Sequence, residues 1–321
     1  MPGFLVGEVV KLDRKFPLVE LPDGSRLRCE HSAELKKRGK LRAVIGDVVE
    51  VAVPDGHDAG IIELIRPRTT QFVRKDPTER ALPQVLAANF DRVLVVQPAN
   101  RLNLRRLERE LVLAHETGAD VTVVLTKADL LDAVAVVDAA RQVRELAGGE
   151  VEVLCISKND AASVAQVRRL MAAGTTSVLI GRSGVGKSTL VNLLLGEDAR
   201  ATSEVRERDG KGRHKTVSRE VMQLPVVDGA GGGRIVDMPG VRGLGLWDAD
   251  EGMGAAFSDI EALAAECRFR DCKHQGEPDC AVAAAVEEGR ISRSRLESYL
   301  GLQGELAKTA RRRKQSTWKR R

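Results

Sequence analysis

Long apolar runs are missing from this chain. No stretch approaches the length a membrane-spanning helix needs, so no span is predicted. The N-terminus, Met1-Pro2-Gly3-Phe4-Leu5-Val6-Gly7-Glu8, has no basic region ahead of an apolar one and soon reaches an acid, unlike an export signal. Cysteine is scarce: Cys29, Cys155, Cys267, Cys272 and Cys280 are the full set. An odd, clustered group of thiols without an export signal predicts a reducing, cytoplasmic setting and a metal rather than disulfides. Aromatics are few, and the first seventy residues hold only Phe4 and Phe16. Base stacking is therefore a poor expectation there, and phosphate and shape contacts are favoured. Acid is absent after Glu305, where eight bases follow: Lys308, Arg311, Arg312, Arg313, Lys314, Lys319, Arg320 and Arg321. Setting these eight aside turns the net charge of +5 into −3. Such a tail reads either as a footprint for a phosphate-rich partner or as a solvated terminus.

What is present divides the 321 residues into three regions, each with its own pattern. Residues 1–70 alternate short apolar runs with turn signals such as Pro22-Asp23-Gly24-Ser25, which predicts a small all-β barrel of the OB-fold type. A basic stretch, Lys36, Lys37, Arg38, Lys40 and Arg42, suits it to RNA. Residues 71–245 alternate buried strands with amphipathic helices, the α/β pattern of a parallel sheet covered on both faces. Residues 246–321 read as helical and carry most of the cysteines.

Gly181-Arg182-Ser183-Gly184-Val185-Gly186-Lys187-Ser188 follows an apolar strand, and Thr189 continues into a helix. That strand–loop–helix context marks a phosphate-binding loop. Glycines let successive N–H groups face the phosphates, and the helix N-terminus adds its dipole. Lys187 is expected to neutralise the β and γ phosphates, and Ser188 to hold Mg²⁺. Thr126-Lys127-Ala128-Asp129 follows another strand. The Asp129 carboxylate can accept two bonds from guanine, which adenine cannot offer. The Lys127 stem is expected to lie along the base, and Thr126 stands where Asn is usual. Alone, this tetrapeptide also reads as a helix N-cap. Cys155-Ile156-Ser157-Lys158 ends the next strand and is placed to offer a backbone N–H to the base, so Ser157 joins the candidate site.

Asp237-Met238-Pro239-Gly240 follows Arg234-Ile235-Val236. Asp237 is a candidate for Mg²⁺ and the Gly240 N–H for the γ-phosphate. Thr216, in the glycine-rich stretch upstream, is the candidate second hydroxyl on Mg²⁺. Val241 occupies the place of the glutamine that orients water in Ras-type enzymes. His214 is the in-chain candidate for that task, with Lys187 and Thr216 completing the catalytic set. The third region contains Cys267, Cys272, His274 and Cys280 as C-x₄-C-x-H-x₅-C, a closed four-ligand set suited to structural Zn²⁺.

The base reader precedes the phosphate loop, the reverse of the usual order, so the chain resembles a circularly permuted GTPase. Motif order, the cysteine spacing and the Gly212-Arg213-His214 stretch together resemble the RsgA family of small-ribosomal-subunit-dependent GTPases. The resemblance implies a GTP/GDP site with Mg²⁺, one structural Zn²⁺, hydrolysis stimulated by the small subunit, a late role in its maturation, and rRNA contacts from barrel and zinc domain. The chain is expected to be cytoplasmic and monomeric, with no membrane partner. The alternative is an rRNA-binding nucleotide sensor with little turnover. An ATPase is a third reading.

Overall fold

Alternating burial along the first strands marks surfaces that face a core on one side only. The computed structural model describes residues 4–12, 16–37, 42–54, 56–57, 59–75, 83–147, 151–196, 219–238, 246–247 and 249–318. Five strands, β1 (Leu5–Leu12), β2 (Pro17–Glu20), β3 (Arg26–His31), β4 (Val48–Ala52) and β5 (Ala59–Ile65), build the expected barrel. β1 pairs with β2, β2 with β3, β3 in parallel with β5, β5 with β4, and β4 closes onto β1. A short helix, α1 (Ala33–Lys37), bridges β3 and β4. Val9, Val19, Cys29, Val49, Val51 and Ile62 fill the interior.

The region after residue 70 opens with an antiparallel hairpin that the sequence pattern did not reveal. It joins β6 (Gln71–Lys75) to β7 (Pro83–Ala88), and Phe72 and Leu86 anchor it in the main core. The α/β part follows: β8 (Arg92–Pro98), α2 (Leu104–His115), β9 (Asp120–Thr126), α3 (Ala133–Ala147), β10 (Glu152–Cys155), α4 (Ala161–Leu170), β11 (Thr176–Ile180) and α5 (Lys187–Leu195). Strands such as β8 are buried on both faces, as a covered parallel sheet requires. Asn103 caps α2 by accepting from the Arg106 N–H, and Asp160 caps α4 in the same way through Ala162. β12 (Arg219–Gln223), a small ribbon of β13 (Val226–Val227) and β14 (Ala230–Gly231), and β15 (Arg234–Asp237) complete the strands.

Strand order is β10-β9-β8-β11-β15-β12, then straight on into the barrel as β1-β2-β3-β5-β4. The first five of these run parallel, whereas β12 is antiparallel to both β15 and β1. Barrel and α/β part therefore share one eleven-stranded sheet. Lys11 pairs with Glu220 at 2.8 Å, and Glu8 with Arg234 at 2.8 Å, across this joint.

The last region is helical: α6 (Asp250–Ala256), α7 (Ser258–Ala264), α8 (Ala281–Glu287) and α9 (Arg293–Trp318). It docks on α2. Gly252 comes so close that a β-carbon there would lie 2.1 Å from the Val112 carbonyl oxygen. Phe257 and Tyr299 meet edge to face in the core of this region, with centroids 5.4 Å apart. The basic tail continues α9 as backbone helix to Trp318. Among the described residues no helix is long and apolar enough to cross a membrane.

Candidate nucleotide and metal sites

Parallel strands in an open α/β sheet present their carboxyl ends on one side, where ligands bind. β9 ends at Thr126, β10 leads to Ser157, β11 runs into Gly181, and β15 ends at Asp237. The register of β11 against β15 sets Asp237 level with Leu179, beside the strand that feeds the phosphate loop.

Two bonds clamp the base reader to that loop. The Thr126 hydroxyl donates to the Val185 carbonyl and also lies 3.3 Å from the Gln97 carbonyl. Lys127 Nζ donates to the Gly184 carbonyl at 2.7 Å. The shorter threonine thus makes the tether that asparagine usually provides. It reaches because Gly186 stands against it at φ 107°, where a β-carbon would lie 3.1 Å from Thr126 Oγ1. Lys127 itself adopts φ 60°, a left-handed conformation rare for residues with a β-carbon. The Ala128 N–H donates to Ile156 at 3.2 Å, which holds the two base-side loops together. Asp129 is half-buried, and its carboxylate has no bonding partner among the described residues.

Lys187 Nζ lies over its own loop, 2.6 Å from the Gly181 carbonyl and 3.2 Å from that of Arg182. Arg182, Ser183, Gly184, Ser188 and Thr189 are exposed along the loop and the first turn of α5, and Val185 is buried beneath them. The Ser188 hydroxyl suits a hard cation carried by nucleotide phosphates. His214, Thr216 and Gly240 lie outside the described residues, and Asp237 is placed by its backbone.

Four side chains in this neighbourhood, Ser163, Gln97, Arg106 and Glu110, carried no sequence motif. The Ser157 N–H, expected to face the base, donates instead to Ser163 Oγ at 3.1 Å. Gln97 donates its amide to Glu110, and Arg106 Nε donates to the other Glu110 oxygen at 3.0 Å. Glu110 is completely buried, and burial pushes its pKa up, against the pull of Arg106, Gln97 and Lys187. A glutamate on the apolar face of α2, between Leu107 and Leu111, was the signal available.

Well beyond the phosphate loop in sequence, Cys267, Cys272, His274 and Cys280 fold into one cluster. The ligand atoms of Cys267, Cys272, His274 and Cys280 all lie within 4.8 Å of one another. Cys267 Sγ is 3.8 Å from Cys280 Sγ and 3.7 Å from His274 Nδ1, and His274 Nδ1 is 3.4 Å from Cys280 Sγ. Zn–S bonds of about 2.3 Å put tetrahedral sulfurs about 3.8 Å apart. A disulfide needs about 2 Å. The donor set therefore fits tetrahedral Zn²⁺ with His274 Nδ1 as the nitrogen ligand. Burial pushes the His274 pKa down, which keeps the imidazole neutral as a ligand must be. Bound zinc would cross-link the loop between α7 and α8, a structural service with no open position for substrate.

Lys36, Lys37 and Arg42 are exposed on the barrel, with Arg38 and Lys40 outside the described residues. Lys308, Arg311 and Arg312 are exposed on α9.

A family model described as RsgA GTPase matches residues 65–247. The chain is 45% identical over 299 residues to "Small ribosomal subunit biogenesis GTPase RsgA" of Streptomyces avermitilis, covering 92% of this chain and 78% of that protein. Among solved structures it resembles YjeQ from Thermotoga maritima, with a TM-score of 0.69 and 26% identity over 95% of this chain and 99% of that one. It also shares its fold with YloQ, a circularly permuted GTPase, with a TM-score of 0.66 over 95% of this chain and 96% of that one. A closed barrel, a permuted nucleotide domain and a Cys₃His helical region, matched along nearly their whole length, place the chain in the RsgA GTPase family.

Proposed function

We propose that this GTP hydrolase works on the small ribosomal subunit, late in its maturation, and turns over faster when bound there. The relatives' printed role supports the partner. The observation that carries the reading is the clamp of Thr126 and Lys127 onto Val185 and Gly184, which supports one nucleotide site with Asp129 at one end and the phosphate loop at the other. In this reading Asp129 selects guanine, Lys127 and Ala128 frame the base, and Ser157 lies beside it. Residues Gly181 to Thr189 cradle the phosphates. Water attacks the γ-phosphorus and the bridging P–O bond breaks, giving GDP and phosphate. Lys187 and the α5 N-terminus neutralise the charge that develops. Mg²⁺ would be held by Ser188, Thr216 and Asp237, and would neutralise the β and γ oxygens. The Gly240 N–H senses the γ-phosphate. His214 orients the water in place of the glutamine that Val241 replaces.

The division that suits these roles is a barrel over 1–70, a nucleotide domain over 71–245 and a zinc domain over 246–321. The exposed cations of the first and last meet rRNA, and the protein acts as a cytoplasmic monomer. GTP hydrolysis measured with and without purified small subunits tests the reading. A marked rise in turnover is expected, and an unchanged rate overturns it. Asp129→Asn should let ATP compete about as well as GTP; retained GTP preference in a competition assay rejects Asp129 as the base reader.

A further inference from the structure

Glu305 is the last acid of the chain, and three parts of the molecule meet at it. Arg109 of α2 sets both terminal nitrogens on its carboxylate, at 3.0 and 2.6 Å. The Leu246 backbone N–H points to the same Oε1 at 3.3 Å. Glu305 itself belongs to α9, the helix of the cysteine-bearing region. Leu246 is completely buried, and Met238 is nearly so; both belong to one hydrophobic cluster with Ala249 and Met253. Seven residues, 239–245, including Gly240, therefore connect two anchored points. The second anchor is gripped by a side chain from α9, and that side chain is in turn oriented by α2.

We propose that Glu305 is a positioning residue for GTP hydrolysis. It fixes where the chain leaving Asp237 to Gly240 re-enters the core, and so ties that point to the position of α9. A partner that shifts α9 shifts the Leu246 anchor with it. Two properties of the carboxylate matter separately. Its charge engages Arg109 and docks the helix. Its lone pair takes the Leu246 N–H, a bond that a cation in the same place cannot make. This inference rests on the proposed stimulation by the small subunit.

The test uses the full chain and reads turnover at saturating GTP, without and with saturating small subunits, alongside thermal melting. Glu305→Ala is expected to lower the ratio of stimulated to basal turnover about five- to tenfold. Glu305→Gln keeps an acceptor for Leu246 and is expected to hold the ratio within about twofold. The swap of Arg109→Glu with Glu305→Arg restores the helix pairing and the melting temperature, yet leaves the ratio low, because the new guanidinium has no lone pair to offer. Should Glu305→Ala fail to fold, the glutamine variant and the swap still carry the comparison. A swap that restores both melting and ratio reduces Glu305 to a docking contact and overturns the proposal, as does a glutamine variant as defective as the swap. A wild-type protein that small subunits do not stimulate overturns the underlying reading, and this inference with it.

Discussion

At the barrel joint the contact is made by backbone. Lys11 and Leu12 of β1 lie in register with Glu220 and Arg219 of β12, and two ion pairs flank the seam. At the joint with the cysteine-bearing region the contact is made by side chains. Arg105 pairs with Glu297 at 2.7 Å, Arg109 with Glu305 at 2.6 Å, and Glu108 with Arg295 at 3.1 Å, all between α2 and α9. Arg295 also binds Asp259 through two nitrogens and covers the Phe257 ring at 4.7 Å. Main-chain ladders depend little on which residues form them. Ion pairs depend on geometry, salt and protonation. The first joint is thus the fixed one, and the second is the one a partner or a change in conditions can alter.

The sharpest separation of the two joints should come from removing metal. Structural zinc contributes about 10 kcal/mol or more to small domains that need it. Chelation, or Cys280→Ala, should therefore unfold the region after 250 while the barrel and the nucleotide site persist. Metal analysis and hydrogen exchange would show it, and uniform protection across the chain after chelation would contradict it. Next in size is Arg295→Ala. It strands Glu108, whose side chain is 4% exposed, so the expected loss is about 3–5 kcal/mol in urea unfolding. A loss below about 1 kcal/mol would mark this hub as surface decoration.

A smaller effect is expected from pH. Burial pushes the Glu108 pKa above 4.5, and the pulls of Ser298 and Arg295 do not cancel it. Between 4.5 and that raised value the native state keeps a proton that the unfolded chain has released. Stability therefore falls as pH rises through this window, and Glu108→Gln should flatten the slope. Identical slopes in wild type and variant would remove Glu108 from the account. The least effect belongs to the barrel seam: Lys11→Ala breaks its ion pair but leaves the ladder, and should cost about 0.5 kcal/mol. A loss of several times that would make the barrel joint as dependent on side chains as the other.

How much of this could be read beforehand follows the range of the signal. The phosphate loop, Asp129 and the cysteine spacing are local patterns whose chemistry fixes the residue types, and the fold brings each set together. Barrel strands were legible because burial alternates along β2 and β4. The β1–β12 seam was not, since it joins Lys11 to Glu220, 209 residues further along the chain, and nothing local announces such a partner. Ser163 was hidden for another reason: it is an ordinary serine in the first turn of α4, and only the turn of the preceding loop makes it a partner of Ser157. The tether made by Thr126 was not legible either, because the gap it spans is set by the absence of a side chain at Gly186.

The unbroken run of α9 past Glu305 has a mechanical consequence. Helix continues for thirteen residues from there to Trp318, a rigid arm of ~20 Å at ~1.5 Å per residue. A tilt of about 10° about Glu305 would carry its far end about 3.5 Å. The arm is a lever with its fulcrum at the carboxylate that holds the Leu246 N–H, trading reach at the tip for force at that anchor.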